Sequence, residues 1–352
     1  MEREIERLRE RGPVPRDTVI EDLIRNIRSA QQALDRKPHV IKYGSVPWTQ
    51  GWMAYAKMFH VPTHFTQAPG TWNAPLYYFC FAEQIVSPGR RSGKHRHYAE
   101  AVFYIMEGRG YEVHDEKRYE WEAGDVMCVP TYCVHQHFAY PDAGARMFFA
   151  FPRFIDFLGL GDCEQMEVHP AAEVSEKDRD LMGADLELAS RLAALNEVTQ
   201  FNGQVETSYD RYVKRLADDV AWRLTCPHVV KGRERPWEDT RMGRLKYLIN
   251  DTVPSGMRTC DAFLQEIPPG GRSGKHRHVA EELHKVLSGR GYDIHNGVQW
   301  DWEAEDVVVI PSHTVHQHFN TDPKRSAVFL SFMPRLHSFF GHGGIEHLED
   351  AP

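Results

Sequence analysis

The 352-residue chain has no excess of basic charge; it carries 42 Lys and Arg against 50 Asp and Glu, a formal net charge of -8. That excludes the electrostatic footprint of a nucleic-acid binder or of a protein held on an anionic membrane. No apolar run is long enough to span a bilayer. The opening residues MEREIERLRERGPVPRD lack the apolar core of a signal peptide. The six cysteines include no CxxC pair and no disulfide-rich spacing. They read as reduced thiols, and the expected location is the cytoplasm.

What the chain does have is a repeat. Shifted by 181 residues, the stretch Gly89–Phe138 lies on Gly270–Phe319 without a gap, with 26 identities in 50 positions. The identities cluster as RSGKHRH, GRGY, WEA, DV and VHQHF. Such self-similarity signals a duplicated domain. No cysteine falls at matching positions in the two copies, so they share no thiolate chemistry. Each copy consists of short segments rich in β-branched and aromatic residues, punctuated by Gly and Pro, which predicts a sandwich or small barrel. The GRGY turns serve backbone geometry between strands. No helix follows them to supply a phosphate-binding N-terminus.

Two regions read differently. Residues 16–36 place Val19, Ile20, Leu23, Ile24 and Ile27 at helical spacing. The connector from about 173 to 250 also reads helical, in DLELASRLAALNEVTQ and SYDRYVKRLADDVAWRL. The expected organisation is a helical arm over 1–45, a first β domain over 46–160, a mainly helical connector over 161–245 and a second β domain over 246–352. The amphipathic arm and connector predict a homo-oligomer.

The chemistry sits in the repeated histidines. His95 and His97 are two apart, so on a strand both face one way. His276 and His278 repeat the arrangement, and His135 and His316 follow about forty residues later. Three imidazoles converging inside a barrel suit a divalent transition metal with open positions. Glu282 lies four residues beyond His278, on the same face; the first copy has Ala101 there. His137 and His318 share parity with the third histidine and are candidate catalytic groups, as is Glu282. His284 is a candidate substrate contact where the first copy has Phe103. Arg91, Lys94, Arg272 and Lys275 precede the His-Arg-His strands and are candidates for a substrate carboxylate. Arg153 and Arg335, after the last apolar strand, are weaker candidates. Arg96 and Arg277 lie between ligands and should point away from the metal.

The spacing resembles the two-motif signature of the cupin superfamily, G-x5-H-x-H-x3-E-x6-G followed by G-x5-P-x-G-x2-H-x3-N. The second copy reads Gly270, His276, His278, Glu282, Gly289, then Glu305, Pro311, His313, His316 and Asn320. Glu305 and His313 replace two glycines. The first copy reads Gly89, His95, His97, Ala101, Gly108, then Gly124, Pro130, Tyr132, His135 and Ala139, departing at the Glu, one Gly and the Asn. Within cupins the chain is most similar to the bicupin gentisate 1,2-dioxygenase group, which has HRH-x3-A in its first domain. The resemblance implies an all-β bicupin of two double-stranded β-helix (jelly-roll) barrels. It also implies a non-heme Fe(II)-dependent dioxygenase of aromatic compound catabolism, cleaving a gentisate- or salicylate-like acid with O2. The metal ligands would be His95, His97 and His135, with His276, His278, Glu282 and His316 in the second barrel. One site could instead hold Mn(II) or another divalent metal; the alternatives are an oxalate-decarboxylase-like bicupin using Mn(II), and a non-catalytic bicupin that binds metal or a small molecule.

Overall fold

The computed structural model describes residues 18–60, 74–153, 155, 163–174, 201, 203–335, 341 and 343–352. The chain divides into two compact units, Met1–Lys37 and Pro38–Pro352. In the first, the expected helix forms as α1, Val19–Asp35. Its apolar residues Val19, Ile20, Leu23, Ile24 and Ile27 are exposed. The predicted connector segment DLELASRLAALNEVTQ lies outside the described residues.

Among its described residues the second unit is mainly antiparallel β. In the first barrel, one sheet runs through Tyr55–His60, Phe79–Val86, Ala145–Pro152 and the long strand Ala101–His114. The same long strand continues into a facing sheet with Lys117–Glu122, His135–Ala139, Lys94–His97 and Cys163–Glu167. The second barrel repeats the plan. There the long strand is split around Gly289 into Glu282–Ser288 and Arg290–His295. The fold is therefore all-β, two jelly-roll barrels in series, as the resemblance implied.

Strand contacts cross the expected domain boundaries. Val40 and Ile41, ahead of the first barrel, pair with Val308 and Val307 of the second. Val229 and Val230, ahead of the second barrel, pair with Met127 and Val126 of the first. Each arm is pinned alike. Lys42 Nζ meets Asp306 at 2.7 Å, and Lys231 Nζ meets Asp125 at 2.7 Å. Helix α2, Ser208–Thr225, begins with a capping box between Thr207 and Asp210 and leads into the second arm. Cys163–Glu167 extends the first barrel, and Gly243–Ile249 the second.

The barrels share one apolar core, in which Phe59, Phe79, Phe81 and Phe148 pack with Leu248, Ile249, Leu264 and Phe332. Two buried carboxylates clamp the halves reciprocally. Glu100 accepts from the Arg258 and Thr259 amides at 2.8 and 2.9 Å and from the Thr259 hydroxyl at 2.8 Å. Glu281 accepts from the Tyr77, Tyr78 and Phe79 amides at 2.8, 2.8 and 3.3 Å. A third contact is one-sided. Lys285, fully buried, lies 3.1 Å from Glu83 of the first barrel and 2.9 Å from Glu305, while Arg146 chelates Glu305 through both nitrogens at 2.9 Å.

This accounts for one departure from the glycine pattern. Glu305 sits at φ 77°, and His313 and Tyr132, at the other departing positions, sit at 63° and 62°. The left-handed conformation is kept without glycine, at a cost of about 1–2 kcal/mol per residue. At Glu305 the side chain recovers that cost by closing the inter-barrel ion cluster.

Candidate metal centres

Each barrel brings its predicted ligands together. His95 pairs with His135 across the sheet, and the three rings of His95, His97 and His135 lie with centroids 4.2, 4.9 and 5.5 Å apart. In the second barrel the corresponding separations are 4.0, 5.0 and 5.4 Å. The donor atoms of His276, His278, Glu282 and His316 converge, as do those of His95, His97 and His135.

The backbone sets the tautomers. In the first barrel the Nδ1 atoms of His95, His97 and His135 lie 3.3, 2.6 and 3.0 Å from the carbonyls of Gly93, Ala99 and Cys133. His276, His278 and His316 repeat this with Gly274, Ala280 and Thr314 at 3.3, 2.6 and 2.9 Å. A carbonyl only accepts, so each Nδ1 is the protonated nitrogen, and Nε2 is the nitrogen turned to the cluster, where that of His278 meets Glu282. The Nε2 atoms of His135 and His316 are buried without a hydrogen-bond partner. Burial pushes His95 down to about 3 and His97 to about 4, and holds His135 far below its ordinary value. His276 falls to about 3 by the same cause, and His316 is driven far down. Dry, neutral imidazoles with convergent lone pairs are the donor set that a divalent transition metal requires.

The second barrel adds a carboxylate. Glu282 lies 3.0 Å from His278 Nε2 and 3.7 Å from His316 Nε2. Burial opposes its charge, but His284 and His278 hold its carboxyl down to about 2. A cavity of about 450 Å³ opens onto His276, His278, Glu282 and His318. In the first barrel a cavity of about 340 Å³ opens onto His95, His97, Ala101 and His137, walled by Phe103, Phe149 and Phe151.

The other candidate residues separate. His137 and His318 line their cavities. His284 is fully buried, with Nδ1 2.6 Å from the Ser331 hydroxyl. Arg91 pairs with Glu167 at 3.3 Å, and Arg272 and Lys275 pair with Glu349 at 3.0 and 3.4 Å. Lys94 lines another cleft, with Arg96, Arg223 and the far side of His135. None of these four lines the cavity that opens onto His95 and His97 or the one that opens onto His276 and His278. Arg153 does line the first cavity, and its charge bears on His97. Its counterpart Arg335 is buried against Asp261 at 2.5 Å and Asp251 at 3.4 Å.

Sequence reasoning passed over the groups behind His137 and His318. Glu112 lies 2.5 Å from His137 Nδ1, and Asp293 lies 2.8 Å from His318 Nδ1. Their signal was the shared Glu/Asp-x-His at the end of the GRGY strand, in GYEVH and GYDIH. The arms carried a signal too: PHVIK over 38–42 and PHVVK over 227–231, with a helix ahead of each.

Fold and site together define a protein with two barrels, each lined by a cluster of histidines whose donor atoms converge. Residues 82–151 and 263–333 each match the cupin domain family. The chain is a bicupin, with two cupin domains in one polypeptide. It is 21% identical over 267 residues to gentisate 1,2 dioxygenase 1 of Aquipseudomonas alcaligenes, covering 72% of this chain and 69% of that one. Its fold resembles salicylate 1,2-dioxygenase of Pseudoaminobacter salicylatoxidans, at TM-score 0.56, 15% identity and 96% coverage of both chains. It also resembles oxalate decarboxylase of Bacillus subtilis, at TM-score 0.59, 16% identity and coverage of 88% of this chain and 79% of that one.

Proposed function

We propose that the first barrel is the centre of a non-heme Fe(II)-dependent dioxygenase that cleaves a hydroxylated, gentisate- or salicylate-like aromatic acid. The observation that carries this reading is a set of three neutral imidazoles without a carboxylate, facing a cavity walled by phenylalanines. Iron held by His95, His97 and His135 would supply Lewis acidity and electronic coupling between an electron-rich ring and O2. Phe103, Phe149 and Phe151 offer offset stacking surfaces to such a ring. Arg153 offers a guanidinium to its carboxylate. Nδ1 of His137 is held by Glu112, so Nε2 is the nitrogen free to take a phenolic proton. Closure of the site by apolar walls keeps bulk water from the reacting ring.

Glu282 favours a second reading for the other barrel. A carboxylate beside three imidazoles makes that site less cationic and suits Mn(II) chemistry of the decarboxylase kind, or a metal kept for structure. The proposal includes a cytoplasmic homo-oligomer with the domain limits given above. The absence of a disulfide among the six cysteines and the exposed apolar residues of α1 support the location and the assembly. No described helix is long and apolar enough to cross a membrane.

The test is metal analysis of anaerobically purified wild type, His97→Ala and His278→Ala, followed by O2 uptake with a salicylate and gentisate panel. The expected result is iron in the first barrel and O2 uptake lost in His97→Ala alone. Manganese in both barrels, or uptake lost only in His278→Ala, overturns the assignment.

A further inference from the structure

Behind each metal centre runs a buried chain of side chains that ends on the opposite half's arm. In the first barrel His137 Nδ1 lies 2.5 Å from one Glu112 oxygen, and His114 Nε2 lies 3.2 Å from the other. His114 Nδ1 then lies 2.6 Å from Nδ1 of His228, on the arm that precedes the second barrel. In the second barrel Asp293 joins His318 at 2.8 Å to His295 at 3.2 Å, and His295 Nδ1 meets Nδ1 of His39 at 2.7 Å. His39 stacks on Trp300 at 4.9 Å, as His228 stacks on Tyr119 at 4.6 Å.

Elementary hydrogen-bond counting orients the chain. In the second barrel the Asp293 carboxylate accepts only, so His318 donates from Nδ1 and His295 from Nε2. A neutral His295 then has its lone pair at Nδ1, so His39 must donate from its own Nδ1. Burial and the neighbouring His114 hold His228 down to about 4, consistent with a neutral ring. In the first barrel the matching Nδ1–Nδ1 contact puts His228 in the place that His39 holds in the second.

We propose that His228 and His39 are positioning residues: each, carried by the arm of one half, fixes the tautomers of the chain that orients the cavity-lining histidine of the other half. A barrel is then incomplete without the segment preceding its partner, and the two centres are built from each other's arms. The functional consequence rests on the reading of the barrels as metal centres; the tautomer chain itself does not. A competing account is a metal shared by His114, Cys133 and His228, whose donor atoms lie within 4.8 Å of one another. The Nδ1–Nδ1 contact recurs at His39–His295, where Thr314 stands in place of Cys133. The contact therefore does not need the thiol.

The test is 15N-histidine NMR of the metal-free protein, which reads imidazole tautomers directly, followed by Co(II) titration in a His278→Ala background. His114 should be the Nε2–H form and His228 the Nδ1–H form. His228→Ala should shift His114 and His137. His228→Asn, whose amide nitrogen mimics Nδ1, should restore both. His39→Ala and His39→Asn should do the same to His295 and His318. His114 unmoved in His228→Ala, no rescue by Asn, or a further Co(II) equivalent lost in Cys133→Ser overturns the proposal. Should His228→Ala not fold, His228→Asn against His228→Gln asks the same question, because the Gln amide reaches the Nε2 place. A shifted His114 without Co(II) binding would sink the metal reading and leave the chain standing.

Discussion

Replacing Glu100 tests how the two barrels are held together. Its Oε2 accepts from the Arg258 and Thr259 amides and from the Thr259 hydroxyl, so one oxygen satisfies three donors of the other half. Glu100→Ala leaves two backbone amides without that acceptor; the hydroxyl can rotate elsewhere. An unsatisfied buried donor costs about 1–3 kcal/mol, so the pair costs about 2–6 kcal/mol. Against a total stability of about 5–15 kcal/mol, that is a large fraction. With a urea slope of about 1–3 kcal/mol per molar, the unfolding midpoint should fall by about 1–2 M or more.

The pH dependence has a definite sign. Burial raises the Glu100 carboxyl above its ordinary value, and the bonds from Arg258 and Thr259 only partly offset this. The folded state therefore binds this proton more tightly than the unfolded chain. The stabilisation linked to it is fully present below the unfolded value, 4.5, and is lost as pH rises through the raised folded value. Glu100→Gln keeps the size and one acceptor oxygen but cannot ionise. It should cost less than Ala, and its deficit against wild type should shrink from pH 5 to pH 8. Urea unfolding of the three proteins, followed by tryptophan fluorescence at both pH values, makes the comparison. An Ala midpoint indistinguishable from wild type, or a Gln deficit that widens with pH, would refute the reasoning.

Three further changes probe other joints. Glu305→Gly restores the cupin glycine and relieves the left-handed backbone, but strips Arg146 and the buried Lys285 of a shared carboxylate. Losing one partner of a buried pair costs about 3–5 kcal/mol, less here because Glu305 is partly exposed, so a net loss near 2 kcal/mol is expected in urea; a gain would contradict it. Gly232→Ala would place a Cβ 1.9 Å from the Gly124 carbonyl oxygen, whereas a Cβ at Gly44 meets nothing within 4 Å. The first should destabilise by about 1–3 kcal/mol and the second hardly at all, compared by thermal melts. Arg153→Ala should raise the KM for an aromatic acid at least tenfold with iron content unchanged, and unchanged KM would remove Arg153 from the substrate site.

The duplicated barrels and their convergent histidines were legible because one rule governs both. Alternation along a strand places His95 and His97 on one face, and spacing carries His135 onto the same face across the barrel. A second copy at one offset removes the chance that any one histidine is incidental. The arms obey no such economy. Val40–Ile41 and Val229–Val230 are two-residue strands, too short to show alternation, and each acts on the domain that does not follow it. The offset between the arms is 189 residues, from Pro38 to Pro227, against 181 in the barrels, so a gapless comparison of the copies steps over them. Yet PHVIK and PHVVK stand in plain view, and the strand-swapping they encode turns two apparently isolated histidines into matched parts.

The surface cations mislead for the opposite reason. Arg91 and Arg272 lie close to the ligands in sequence, but a residue before an inward-facing strand has no parity to hold it to the cavity. Local acids settle the matter: Glu167 and Glu349 arrive on the strands that extend the sheet beyond Lys94–His97 and Lys275–His278, and they pair with those arginines at the surface. Asp261 does the same to Arg335. Arg153, its counterpart, lines the cavity that opens onto His95 and His97. The barrel without the ligand carboxylate is the one whose cavity keeps a guanidinium. That pairing suits an anionic substrate that brings its own oxygen donors, and it is why the first barrel, not the one closer to the general cupin motif, is assigned the chemistry.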